Sequence, residues 1–350
     1  MTAHSPLHAL HERLGARFTD FGGWEMPLQY AGTLTEHNAV RTSAGVFDVS
    51  HLGRFSLSGP GAYAAVSGLL CNDIDRIEPG RAQYTMVLDD DGGVIDDVIV
   101  WWLEAERFVV LPNGVNHDTV LLRFRDAVGD SAEIVDLRPS TALIAVQGPQ
   151  APRILGEVVG AEPGRFRVVE SKRSEGLLMA AGTGYTGERG AEIMVDAALA
   201  PSLFERVVQA GAAPAGLGAR DTLRLEMGYP LWGQDLDTST TPLQAGHEWV
   251  VGWDHDFVGK NALERERIAG VPRTLIGFAF AERRVPRHGY PLRCGTAAGV
   301  VTSGNFSPTL GVGIGMGYVG PDPGEATTAS IEIRGKWLDA RRVVPPFLDR

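Results

Sequence analysis

The chain has 350 residues, 44% hydrophobic and 21% charged. That balance excludes disorder and predicts two or three domains with substantial cores. Lys and Arg number 32 against 43 Asp and Glu, a net charge of −11, so neither nucleic acid nor an anionic membrane surface is a fitting partner. No apolar run reaches the ~18 residues of a membrane span, and the first residues lack a signal-peptide pattern. A soluble, cytoplasmic protein is expected. Cys71 and Cys294 form no CxxC pair and are expected to be buried thiols. The 44 glycines favour tight turns and a β-rich fold.

In chain order, Gly22, Gly23 and Pro27 forbid a long helix near the start. Residues 36–43 read as one short helix, 47–50 as the beginning of a strand and 62–70 as a helix. Residues 84–88 and 94–103 form a hairpin across the acidic turn Asp89-Asp90-Asp91-Gly92-Gly93. A strand at 108–111 and an amphipathic helix at 117–128 follow. Strands are predicted at 142–146, 177–181 and 191–195, with helices at 200–209 and 217–227. After a helix at 261–268 come only short strands, at 275–280, 299–302, 312–319, 329–334 and 336–341. Five such strands predict a small β-barrel, so the architecture reads as α+β followed by all-β.

Chemistry-bearing motifs are few. No HExxH, GxSxG or Walker sequence occurs. Asp254-His255-Asp256 is the tightest cluster of ligand types and reads as a polar linker. Gly182-Thr183-Gly184-Tyr185-Thr186-Gly187 is a literal GxGxxG. A strand follows it where a dinucleotide site needs a helix, so its glycines are expected to shape a loop presenting Tyr185 and Glu192. Asp96 and Asp97 sit in an otherwise apolar strand. Alternation puts Asp96 with Val94, Val98 and Val100, and Asp97 with Ile95, Ile99 and Trp101. Carboxylates against apolar walls acquire raised pKa values suited to acid–base work. Arg220 and Arg224 lie one helical turn apart behind Gly216 and Gly218. The polar loop Ser303-Gly-Asn-Phe-Ser-Pro-Thr-Leu-Gly311 either binds a ligand or caps the barrel.

Six segments together carry a family resemblance. They are Glu36-His-Asn-Ala-Val-Arg41, Gly45-Val-Phe-Asp-Val-Ser-His51, Gly92-Gly-Val-Ile-Asp-Asp97, Gly184-Tyr-Thr-Gly-Glu188, Gly216-Leu-Gly-Ala-Arg-Asp-Thr-Leu-Arg-Leu-Glu226 and Ser303 to Gly311. In this order the chain resembles the glycine cleavage system T-protein family, tetrahydrofolate-dependent aminomethyltransferases. The resemblance implies an α+β three-domain cloverleaf. Its first, folate-binding domain is discontinuous (1–50 and 139–250), with an inserted α+β domain (51–138) and a C-terminal β-barrel-like domain (251–350).

The implied reaction moves the methylene of an aminomethyl group from the lipoyl sulfur of a carrier H-protein to tetrahydrofolate, releasing ammonia. The resemblance places the catalytic acid on Asp96. It places the folate pocket on Tyr84, Asn113, Tyr185, Glu192 and Arg220, and implies no metal. A carboxylate matches the N–H edge of a pterin with two parallel hydrogen bonds, and that role falls on Glu192. An exposed basic patch including Arg283, Arg284 and Arg287 is expected to receive the carrier against the net charge. A tetrahydrofolate-dependent demethylase of a small methylated compound is the alternative on the same fold. A folate-binding accessory protein of iron–sulfur maintenance is disfavoured, because Gly228-Tyr-Pro-Leu-Trp-Gly-Gln-Asp235 has no cysteine where that family carries one.

Overall fold

The computed structural model describes residues 2–173 and 176–349. Its first fifty residues hold a short helix (His8–Arg13) and a hairpin (Arg17–Phe21 with Trp24–Gln29), neither predicted. The turn is Gly22-Gly23, both with positive φ, the geometry that two-residue hairpins require. The helix Thr33–Thr42 follows and leads into the strand Gly45–Asp48.

That strand enters a six-stranded sheet, in the order Val168–Arg173, Gly176–Ala181, Gly190–Asp196, Thr141–Gln147, Gly45–Asp48, Ala213–Pro214. The chain thus leaves this sheet at residue 48 and returns at 141. The intervening stretch builds a five-stranded sheet of Arg81–Leu88, Val94–Glu104, Arg107–Leu111, Phe55–Ser58 and Glu133–Asp136. The two sheets face each other across one core, where Trp101, Val109 and Ala82 meet Phe47, Leu143, Ala145 and Met194. Helices cover the outer faces. Ala151–Val158 and Ala200–Gln209 cover the first sheet, and Ala62–Leu69 and His117–Val128 cover the second. Each sheet therefore buries both faces, which explains why its strands read as continuous apolar runs such as Ala142 to Val146.

The last third is a closed six-stranded barrel. The strand absent from the sequence reading is Pro291–Cys294, whose Pro and Arg interrupt the apolar pattern. The predicted final hairpin is present, Thr328–Ile333 with Lys336–Val343, its turn residues Arg334 and Gly335 both at positive φ. Cys71 and Cys294 are buried and unpaired. Among the described residues no helix is long and apolar enough to cross a membrane.

One local feature corrects the alternation read from the sequence. The register of Val94–Glu104 against Arg81–Leu88 shifts between Val87 and Leu88, so Val87 faces Asp96 while Leu88 faces Val94. The extra residue is a β-bulge. It sends Ile95 into the same core as Val98 and Val100 and Val94 into a separate cluster with Met86 and Leu88. Val94 and Ile95 therefore exchange faces relative to the predicted pattern.

Candidate active site

A cavity of about 830 Å³ opens where the hairpin at 17–29, the five-stranded sheet, the loop at 183–185 and the helix Leu217–Glu226 meet. Its size suits a drug-sized or cofactor-sized ligand. Tyr84, Asn113, Tyr185, Glu192 and Arg220 all stand in its wall, and so does Asp97. Asp96 does not. It is fully buried one layer behind, with its carboxylate turned toward the loop at 113–116. There it accepts hydrogen bonds from the Asn113 backbone N–H (2.8 Å), Asn113 Nδ2 (2.8 Å) and Asn116 Nδ2 (2.7 Å).

Asn113 joins the two acids, since its Nδ2 also donates to Asp97 Oδ1 at 2.9 Å. The Tyr84 hydroxyl donates to Asp97 Oδ2 at 3.0 Å. Among the described residues neither aspartate has a cationic partner within ion-pair distance. Burial, the largest influence, pushes Asp97 up to about 6, against the opposing hydrogen bonds from Tyr84 and Asn113. Burial and then the neighbouring Asp97 charge push Asp96 upward as well. Two carboxyls so close and so dry retain a proton at a pH where exposed aspartates have lost theirs.

Another part of the wall carries charges of both signs, Arg220 and Arg224 with Glu192 and Asp221. Arg220 lies 4.7 Å from the centre of the Tyr185 ring and is buried close enough to Glu192 to feel its charge. Glu192, on the strand Gly190–Asp196, accepts a 2.6 Å hydrogen bond from Thr183. The Tyr185 hydroxyl donates to the Pro230 carbonyl, which fixes the ring. The predicted loop role of the glycine run holds in detail. A Cβ on Gly184 would sit 2.0 Å from Gln147 Oε1, and one on Gly182 2.0 Å from the Gly164 carbonyl oxygen. Those close approaches set Tyr185 and Glu192 at the cavity.

Arg224 shares this wall but is committed to protein partners. Its guanidinium reaches Asp221 Oδ1 (2.9 Å), Asp235 Oδ2 (2.9 Å) and Ser303 Oγ (2.8 Å). Asn305 donates to Asp221 at 2.8 Å. The loop at 303–311 therefore buttresses the cavity wall from behind. Arg283, Arg284 and Arg287 are exposed on the neighbouring loop, with Arg283 packed 4.4 Å over the Phe306 ring.

Among the described residues, three polar atoms of the cavity wall are buried with no protein partner: His51 Nδ1, Gln83 Oε1 and Arg220 Nη1. Buried polar atoms are normally satisfied, so this surface is built for a ligand that brings donors and acceptors. His51 and Gln83 are cavity residues the sequence reading did not select. His51 had a signal, lying at the end of a quoted motif, while Gln83 had none beyond its neighbour Tyr84.

The motif Glu36 to Arg41 does different work. Glu36 accepts from the backbone N–H groups of Tyr30, Gly32 and Gly216. Arg41 holds Glu226 at 2.7 Å. Neither lines the cavity. His255, in the acidic linker cluster, has its ring nitrogens 2.8 Å from the Gly252 carbonyl and 3.1 Å from that of Leu70.

Comparison with known proteins agrees with this geometry. Residues 7–255 match the GCVT N-terminal domain family and residues 273–349 the glycine cleavage T-protein C-terminal barrel domain. An aminomethyltransferase of Rubrobacter xylanophilus is 47% identical, covering 99% of this chain and 94% of the relative. One of Frankia alni is 43% identical, covering 98% and 97%. The crystal structure of glycine cleavage system aminomethyltransferase T from Bartonella henselae superposes with a TM-score of 0.92 at 32% identity, covering 99% of this chain and 98% of that one. The chain belongs to the glycine cleavage T-protein family and is an aminomethyltransferase.

Proposed function

We propose that the cavity binds tetrahydrofolate and that the methylene of a lipoyl-bound aminomethyl group is transferred there, with ammonia released and the lipoyl thiol left behind. The observation that carries this reading is Asp97, an acid of raised pKa in the wall of a cavity that also offers Glu192 and Arg220. Glu192 matches the N–H edge of a pterin, and charge-assisted bonds of that kind are the strong ones. The size of the pocket and the orphaned His51, Gln83 and Arg220 atoms fit a polar, cofactor-sized ligand.

Within this reading the acid–base role moves from Asp96 to its neighbour. Asp97 faces the ligand and is placed to stabilise the positive charge that grows on the methylene as its old bond breaks. It is also placed to accept the proton shed by the acceptor nitrogen. Asp96 acts through Asn113. It orients that amide, while burial keeps the affinity of Asp97 for a proton high. Tyr84 positions Asp97 from the other side. Holding both reactants in one cavity supplies the remaining acceleration, by making a bimolecular transfer local.

The donor is an aminomethyl-lipoylated H-protein that docks on the exposed Arg283, Arg284 and Arg287, one layer from the cavity wall through Phe306 and Asn305. The test is formation of methylenetetrahydrofolate from that carrier, with tetrahydrofolate and ammonia release followed together. Reversal of the three arginines to glutamate raises the KM for carrier severalfold and leaves folate affinity unchanged, since rim charges act on encounter. A folded, folate-binding protein that yields no product from the carrier supports the demethylase alternative instead.

A further inference from the structure

A second cluster of metal-ligating side chains stands apart from the cavity. His4 and Glu25 are cross-strand neighbours in the parallel pair of Ala3–His4 with Trp24–Gln29. His8 opens the helix His8–Arg13. The topology brings all three together, and their donor atoms lie within 4.8 Å of one another. His4 Nε2 is 3.2 Å from Glu25 Oε2, and His8 Nε2 is 3.7 Å from the same oxygen. The two imidazoles stack with centroids 4.0 Å apart and planes 19° apart, so the exposed His4 ring has to turn about its side-chain bonds before both Nε2 lone pairs converge on one ion. Glu12, one turn along the helix, reaches within 3.8 Å of His8 Nε2.

We propose that His4, His8 and Glu25 form a binding site for a divalent transition-metal ion of the zinc class, with Glu12 or water as the fourth ligand. Ligand bonds of 2.0–2.1 Å in a tetrahedron put neighbouring donors about 3.3–3.4 Å apart. The 3.2 and 3.7 Å separations bracket that edge. Two imidazoles and one carboxylate are the ligand set that suits zinc and its neighbours and not magnesium or calcium. The geometry is held from two sides: Phe18 packs on the His8 ring at 4.9 Å, and the strand ladder fixes His4 against Glu25. The bound ion cross-links the first strand, the first helix and the hairpin. The other strand of that hairpin supplies Thr19, Asp20 and Phe21 to the cavity wall. None of the three ligands lines the cavity, so the ion steadies the fold and takes no part in transfer.

The experiment uses the full chain, stripped with chelator and titrated with Zn2+ by calorimetry and with Co2+ by absorption. The expected result is one saturating equivalent, a tetrahedral Co2+ ligand-field spectrum and a raised melting temperature. His4→Ala, at an exposed position, and Glu25→Gln, at a half-buried one, each weaken binding at least tenfold and leave turnover without metal unchanged. Absence of a saturable equivalent, or identical binding by the His4→Ala/His8→Ala/Glu25→Gln variant, overturns the proposal.

Discussion

Two groups of buried acids in this protein are treated in opposite ways. Glu226, fully buried, is surrounded by Arg41 at 2.7 Å and His37 at 3.3 Å, with Ser307 and Thr309 hydrogen-bonded to it. Burial alone would raise its pKa, but His37, Ser307 and Arg41 outweigh that and hold it at about 2. Asp96 and Asp97 are also buried or nearly so, yet only amides and a phenol donate to them, and their pKa values move upward. The difference separates architecture from chemistry. Glu226 is a saturated anion that locks the helices Thr33–Thr42 and Leu217–Glu226 to the loop at 307–309. The aspartate pair holds a proton loosely, and one of its members faces a cavity.

The largest effect expected is on the saturated cluster. Glu226→Gln takes one of two carboxylates from buried Arg41, leaving it Glu188 at 2.9 Å, and costs about 3 kcal/mol, read as a shift in denaturant midpoint with no change in folate affinity per folded molecule. The pH dependence has a fixed sign. A carboxylate depressed from 4.5 to about 2 stabilises the fold above about pH 4.5, and that contribution is lost as pH falls through 2. Wild type and Glu226→Gln therefore converge in stability at the acid extreme. A constant gap across pH would show that Glu226 is not held as a charge.

Next is the cavity wall at Glu192. Glu192→Gln removes a charged acceptor worth about 1.5–3 kcal/mol, so folate binding weakens by roughly ten- to a hundredfold in calorimetry. Unchanged affinity would place the pterin elsewhere in the cavity. The smallest effect is the most diagnostic in sign. Asp97 has its pKa raised from 3.8 to about 6, so its contribution to stability is complete below about pH 4 and is lost as pH rises through 6. Asp97→Asn escapes that loss. The variant should be more stable than wild type at pH 8, by about 1–2 kcal/mol after allowance for partial exposure, and the advantage should vanish by pH 4. A destabilised variant at pH 8 would make Asp97 a structural acid like Glu226.

The sequence was most legible where one physical signal dominated. Apolar runs bounded by turn residues marked the strands 94–104 and 141–147 and the final hairpin, and amphipathic spacing marked the helix 117–128. The first thirty residues were not legible, because a six-residue helix and two short strands carry too few positions for any period to show. The pocket side chains Tyr84, Asn113, Tyr185, Glu192 and Arg220 came from the family resemblance, and the structure sets all of them around one cavity. The resemblance placed the catalytic acid on Asp96; what the residue pattern misplaced was the pair Val94 and Ile95. A bulge beside Asp96 reverses the alternation on one side of it, and no residue type announces a bulge. The Glu36 to Arg41 motif marked the family without marking the site, since its charged residues hold together the elements that frame the cavity.

The most direct test is the turnover of Asp97→Asn beside Asp96→Asn, with aminomethyl-lipoylated carrier and tetrahydrofolate both saturating. Asp97→Asn should lose about 10²–10⁴-fold in kcat while still binding folate. Asp96→Asn should lose less, because it reaches Asp97 only through the Asn113 amide. Near wild-type turnover by Asp97→Asn, with the full loss falling on Asp96→Asn, would contradict the account and return the acid to the buried position.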